Sequence, residues 1–339
     1  MTVHPPPRPL LPVLARMALG LGLAGLGGVL TWQGAEVRPT PGMGTTTTPV
    51  RVGLDGPQPS DLAAAGTLQV SGDRSSVLVD SLPAGSPLLV GGHVTHRERN
   101  PVELRSERVG RQVKVTLALT VQPTDRPGMI VSGPEPVQHV IALQLSRAVP
   151  LTLGARTVSG DQTLDLSALT LRGLNLRSVS GDQTITLPGR TAGPAALVST
   201  SGNIRVTAAR GAAPEALRVN SVSGHQVLNL AGASVGTLGL GTASGDIDLI
   251  LPAKVPRAAL TTASGDVTVT ARPGTRGNLD VRTQGGDVTL RVPAGLRLRV
   301  RFTDRDTVSL PRGLPPATAP DLDVFVDAPS GNFTLDSTP

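Results

Sequence analysis

A Ser-Gly-Asp triplet returns along the second half of this chain at a nearly constant interval. A recurrence so short and regular restricts the fold to a stack of like units. The triplet or a close variant has its glycine at Gly160, Gly181, Gly202, Gly224, Gly245, Gly265, Gly286 and Gly331. Up to Gly286 the successive steps are 21, 21, 22, 21, 20 and 21 residues. The last step, 45 residues, is about two periods, and a worn copy around Asp304–Leu310 is expected inside it.

The copies agree beyond the triplet. Seven residues before the glycine stand Leu153, Leu174, Ala195, Leu217, Leu238, Ala258, Leu279 and Val324. Five before it stand Ala155, Leu176, Leu197, Val219, Leu240, Leu260, Val281 and Val326. Four after it stand Leu164, Ile185, Val206, Leu228, Leu249, Val269, Leu290 and Leu335. Polar residues such as Thr184 and Thr186 alternate with them. A period of two on both sides of a turn is the pattern of strands, not helices. The expected architecture is all-β: a single elongated β-solenoid, β-helix-like, with coils of about 21 residues. About five inward aliphatic side chains per coil cannot offset the entropy of ordering about 21 residues, so each coil must lean on its neighbours.

The corner has its own chemistry. Glycine accepts positive φ, and the flanking Ser and Asp can bond nearby backbone groups. Three residues before the glycine runs a hydroxyl column: Thr157, Ser178, Ser199, Ser221, Thr242, Thr262 and Thr283. Parity places it inward, where stacked hydroxyls are expected to bond one another or the corner backbone between coils.

Composition agrees with a narrow solenoid. The 339 residues include one Trp, three Phe and no Tyr, too few for a large aromatic-rich core. Without cysteine there are neither disulfides nor thiolate metal sites. The net charge of +6 is carried mostly by arginines spread along the chain. No nucleic-acid partner is expected, because the basic residues form no block and aromatic stacking platforms are scarce.

Residues 1–35 read as a signal peptide or membrane anchor. Arg8 and Arg16 precede an uncharged apolar run from Met17 to Leu30, followed by a candidate cleavage point at Ala35. Residues 36–60, rich in Pro, Thr and Gly, read as a linker, residues 61–150 as an irregular N-terminal β-strand cap, and residues 151–339 as the solenoid repeats. This order implies export to the cell envelope or beyond, with membrane association through the N-terminal segment if it stays uncleaved.

The copies Ser244-Gly245-Asp246-Ile247, Ser264-Gly265-Asp266-Val267 and Gly286-Asp287-Val288, behind a secretory leader, resemble a bacterial family of envelope proteins. Its members are labelled adhesins with β-strand repeats, and their fold is also called Toastrack. The resemblance spans roughly Leu68–Leu335. It implies a β-helix-like body, an envelope location and no catalytic residues to carry over, and some relatives are associated with envelope-stress signalling. This chain departs from the pattern with Gln162, Gln183 and Gln226 at a usually apolar position, and with Asn203 and His225 in the Asp column.

The candidate sites are few. The column Asp161, Asp182, Asp246, Asp266 and Asp287 could form a calcium ladder, but the dense oxygen sets that calcium requires are missing, and corner formation is the preferred role. His93 and His96 read as a surface pair that completes no metal site, because residues three apart on a strand face opposite ways. Gly20-x-Gly22-x-x-Gly25 matches a dinucleotide fingerprint only in letters, since it follows no strand. Arg297, Arg299 and Arg301 alternate with Leu296, Leu298, Val300 and Phe302, which places three guanidinium groups on one face with Asp304 and Asp306 as nearby partners. That face is the candidate surface for an anionic envelope polymer or lipid headgroup. No catalytic, cofactor-binding or metal residue is assigned.

Function is therefore expected to be non-enzymatic: an exported, adhesin-like scaffold presenting a surface to a protein or envelope polymer. The alternatives are a β-helix glycan-active enzyme and an extracytoplasmic module of an envelope-stress signalling system. The enzyme would need carboxylates converging in a groove.

Overall fold

The computed structural model describes residues 44–54, 63–122, 139–191, 193–303, 308–309 and 319–338. The leader at residues 1–35 lies outside them. The described residues form strands and connecting turns, without helix. The unit from Thr45 onward is built from two 13-stranded sheets. One sheet collects the strands that precede the glycine corners, such as Leu151–Thr157, Thr170–Ser178 and Ala195–Ser199. The other collects those that follow, such as Gln162–Asp165, Gln183–Leu187 and Ile204–Ala208. We call them the pre-corner and post-corner sheets. Successive coils pair in parallel, as a solenoid requires.

The three apolar columns form one core. Leu174, Leu176 and Ile185 of one coil are buried, as are Leu238, Leu240 and Leu249 of another. The returns add Leu166 and Leu169, Leu230 and Val235, and Leu251 and Val255. Leu249 pairs in register with Leu228 on one side and Val269 on the other.

The triplet glycines line up along one corner, but for a reason other than positive φ. Of the eight, Gly160 alone has a left-handed backbone, at φ 115°. The rest are constrained by the coil beneath. A Cβ on Gly181 would lie 2.0 Å from the carbonyl oxygen of Gly160, and one on Gly265 would lie 2.0 Å from that of Gly245. Only glycine permits so close an approach of backbone to backbone.

Both ends depart from simple sequential stacking. At the C-terminal end, Leu322–Asp327 lies between Arg276–Thr283 and Leu298–Phe302, while Phe333–Thr338 lies between Val288–Pro293 and Val308–Ser309. The last coil is thus inserted inside the worn one, and Gly331 stacks directly on Gly286. The expected sequential order of these two copies is reversed. The physical reason is the corner: the worn copy has no glycine between Thr303 and Leu310, so it is unsuited to rest on the oxygen of Gly286. Phe302 and Phe333 meet edge to face, 5.0 Å between centroids, across the two coils.

The N-terminal end repeats the device. Ala65–Gly72 and Ser75–Ser81 form a coil directly beside Leu151–Thr157 and Gln162–Asp165. The outer strands Gln112–Leu119 and His139–Leu145 then pair on its far side. Beyond these, three antiparallel pairings involve Thr45–Gly53, Leu88–Arg97 and Val102–Val109. Thr45–Gly53 falls within the stretch read from sequence as linker, and Pro49 sits there in an edge strand, where its missing N–H is tolerated.

Candidate functional site

The repeated polar residues are the first place to look for a site. The Asp column is a hydrogen-bond ladder between coils. Oδ1 of Asp161 accepts the backbone N–H of Asp182 at 3.0 Å, Oδ1 of Asp246 that of Asp266 at 2.9 Å, and Oδ1 of Asp266 that of Asp287 at 2.8 Å. The two departures in the column continue the ladder. Oδ1 of Asn203 accepts the N–H of His225, and Nδ1 of His225 accepts the N–H of Asp246. What the position requires is an acceptor at that reach, not a negative charge.

The serine that stands before every triplet glycine except Gly286 forms a second ladder. Ser180 and Ser201 donate to the carbonyls of Val158 and Val179 in the preceding coil. The hydroxyl column does something else than expected: it mostly caps its own corner. Oγ of Ser178 accepts the N–H of Gly181 at 2.9 Å, and Oγ1 of Thr262 that of Gly265 at 3.0 Å. Thr157 and Ser221 instead donate to the carbonyl oxygens of Gly160 and Gly224, so each buried hydroxyl satisfies a backbone group of its own corner.

The three glutamines in the apolar column are fully buried. Nε2 of Gln162, Gln183 and Gln226 donates across the core to the carbonyls of Arg177, Val198 and Gly241, each in the next coil. Their Oε1 atoms have no protein partner.

Arg297, Arg299 and Arg301 stand on the edge strand Leu298–Phe302 and just before it, as the alternation implies. Their partners are Asp321 and Asp323, contributed by the inserted last coil and its approach. Arg297 grips Asp321 with two bonds of 3.0 Å, while Arg299 and Arg301 converge on the nearly buried Asp323. The hydrogen bond from Arg299, reinforced by the charges of Arg301 and Arg299, holds the Asp323 carboxyl below the usual carboxylate range despite desolvation. Asp321 is held down mainly by the hydrogen bond from Arg297. Asp304 and Asp306, the partners read from sequence, lie outside the described residues. The cluster locks the outer coil to the inserted one.

His93 and His96 face opposite ways on Leu88–Arg97. They are not a surface pair: His93 is exposed, but His96 is 5% exposed. Nδ1–H of His96 donates to the carbonyl of Arg97 at 2.9 Å, and Nε2 accepts from the Thr48 hydroxyl at 2.8 Å, the strand Thr45–Gly53 having covered that face. Among the described residues no group of three His, Cys, Asp or Glu side chains is placed to hold a metal ion.

A groove of about 410 Å³ opens on the outer face of the post-corner sheet, lined by Leu78, Asp80, His93, Gln144, Thr163 and Asp165 among others. Leu78 pairs with Thr163 and Val79 with Leu164, and Asp80 and Asp165 are the next residue on each of these two strands, whose backbones run about 4.8 Å apart. Oδ1 of Asp80 accepts the N–H of Ser81, and Oδ1 of Asp165 that of Ser167. The sequence hides this meeting. Seven residues separate Gly72 from Val79, against four between Gly160 and Leu164, so the repeat alignment does not put the two carboxylates in one column.

The family model described as Toastrack DUF4097 matches residues 97–335. Among solved structures the chain is similar to a provisionally named cell adhesion protein from Clostridium sporogenes, at 10% identity and TM-score 0.31, covering 87% of this chain and 100% of that one. It is also similar to a provisionally named adhesin from Bacteroides fragilis, at 10% identity and TM-score 0.40, covering 89% of this chain and 100% of that one. No curated protein matches the chain.

Proposed function

The chain belongs to the Toastrack DUF4097 family, and we propose that it works as an exported, non-enzymatic β-repeat scaffold that binds a partner in the cell envelope. One observation carries this reading: the residues that recur in every coil are consumed by architecture. Ser, Asp and the hydroxyl column each bond backbone, and the glycine makes room for it. What varies, and so is left for recognition, is the outward side of the two sheets. Arg8, Arg16, the apolar run to Leu30 and the candidate cleavage point at Ala35 support export.

Fractionation of cells with amino-terminal sequencing of the recovered protein tests the proposal. The expected result is protein outside the cytoplasm, either beginning near Glu36 or retained on the membrane with its leader. Soluble cytoplasmic protein with an intact amino terminus would overturn it.

The groove favours a second reading, a glycan-active enzyme. Asp80 and Asp165 line one groove, as a pair of catalytic carboxylates must, and Leu78, Gln144 and Thr163 offer one apolar and two hydrogen-bonding contacts. Glycan turnover that disappears in both Asp80→Asn and Asp165→Asn, with unfolding temperature kept, would establish it in place of the first.

A further inference from the structure

The two sheets differ in the charge of their outward sides. On the post-corner sheet, from Gln162–Asp165 to Val288–Pro293, Arg205 and Arg291 are balanced by Asp165 and Asp248. On the pre-corner sheet, from Leu151–Thr157 to Lys254–Thr262, the outward side chains include Arg156, Arg172, Arg177, Arg218, Lys254 and Arg257 and no carboxylate. Glu215 stands just before Ala216–Asn220, and the first acid on the face itself is Asp280, one strand further on. None of these six cations forms an ion pair with another described residue, in contrast to Arg297, Arg299 and Arg301, which are engaged by Asp321 and Asp323.

Strand register orders four of the arginines. Arg156 and Arg177 are direct neighbours. Arg177 pairs with Val198 and Val198 with Asn220, so Arg218 lies two coils on and two residues back. Arg218 pairs with Gly239 and Gly239 with Ala259, so Arg257 repeats the same step. Each step is about 12 Å, from two strand spacings of ~4.8 Å and two residues of ~3.3 Å. The outward positions between are neutral and short: Ala196 and Val198 in the first step, Thr237 and Gly239 in the second.

We propose that this arginine staircase on the pre-corner sheet is the docking surface for a linear anionic polysaccharide, whose carboxylate or sulfate groups the guanidinium groups grip. A chain with charges at regular intervals matches equal steps, and planar guanidinium groups bind such oxyanions bidentately. The short neutral side chains between the arginines, none longer than valine, let the polymer lie close to the sheet. No aromatic side chain stands on these strands, so the face lacks both the platforms that stack nucleobases and the belt residues that seat in a bilayer interface. The inference rests on the binding-scaffold reading and supplies its partner class.

The test uses the full chain and measures retention on alginate and on dextran sulfate, with neutral dextran, phosphatidylglycerol vesicles and single-stranded DNA as comparisons. Two triple variants carry the same charge change: Arg177→Gln/Arg218→Gln/Arg257→Gln on the staircase, and Arg205→Gln/Arg210→Gln/Arg272→Gln on the post-corner strand Ile204–Ala208 and in turns away from it. The expected result is binding to the anionic polysaccharides that weakens about tenfold in the staircase variant and less than about twofold in the other, with unchanged unfolding temperatures. Equal weakening in both variants, absence of binding to both polysaccharides, or retention on vesicles or DNA alone would overturn the inference. Each leaves the fractionation result standing, so failure of the staircase and failure of the export reading are distinguishable.

Discussion

A Cβ atom on Gly286 would lie 1.9 Å from the carbonyl oxygen of Gly265. The adjacent Gly285 is different: its nearest such contact is 3.8 Å, to the oxygen of Ala263, and its φ is not left-handed. Gly286→Ala is therefore expected to destabilise the fold by about 2–4 kcal/mol through a forced shift of the coil, while Gly285→Ala stays within about 0.5 kcal/mol. Thermal unfolding of the two neighbours side by side decides it, and equal effects would show that the column is not set by coil-to-coil approach.

The interior offers a second contrast. Leu249 is fully buried between Leu228 and Val269, whereas Thr268, in the adjoining strand, points outward. Leu249→Asp is expected to cost well over ~3 kcal/mol, combining a lost aliphatic contact with an unpaired buried charge. Thr268→Asp is expected to cost less than ~1 kcal/mol. Comparable losses in denaturant unfolding would reverse the assignment of inside and outside.

The Asp ladder predicts which chemistry matters at the corner. Asp266→Asn keeps the oxygen that accepts the Asp287 N–H, as Asn203 does for His225, and is expected to be near neutral. Asp266→Ala removes the acceptor and is expected to cost about 1 kcal/mol. A chelator is expected to leave the unfolding temperature unchanged. A marked drop on chelation would mean that the carboxylates hold a cation after all.

The edge strand Leu298–Phe302 should loosen in acid. Asp321 and Asp323 titrate below the ordinary carboxylate value of 3.8 because their arginine partners favour the ionised forms. A depressed native value means that the stabilisation is present above the unfolded value and is lost as pH falls through the native one. Amide exchange should therefore quicken in residues 298–302 before the central coils as pH drops from about 4 toward about 2. Simultaneous loss of protection throughout would exclude a local latch.

Much of this fold was legible because a solenoid repeats its instructions. The parity of Leu249, the inward hydroxyl column and the line of glycines follow from period two and a fixed interval. Neighbour choice does not. Leu322, Val324 and Val326 fit the inward columns equally well as the next coil or the one after, and only the missing glycine of the worn copy argues between them. Distant pairings were equally hidden: Arg299 meets Asp323 because a strand is inserted between Arg276–Thr283 and Leu298–Phe302. His96 is buried by Thr48, 48 residues earlier, and no local pattern announces that cover. The arginine staircase depends on register across six strands, which alternation alone does not fix.

The inserted last coil bears on how the body is completed as the chain emerges from its N-terminal side. The coil ending at Val288–Pro293 cannot accept the segment that follows it as a permanent neighbour, because that berth belongs to Leu322–Asp327 and Phe333–Thr338. The strand Leu298–Phe302 pairs instead with the far side of Leu322–Asp327. Arg297, Arg299 and Arg301 hold that outer strand against the inserted coil through Asp321 and Asp323. Without residues 322–338 in place, Arg276–Thr283 and Val288–Pro293 would present an unsealed row of backbone donors and acceptors, so the body is closed by a segment that skips past its nearer neighbour in the chain.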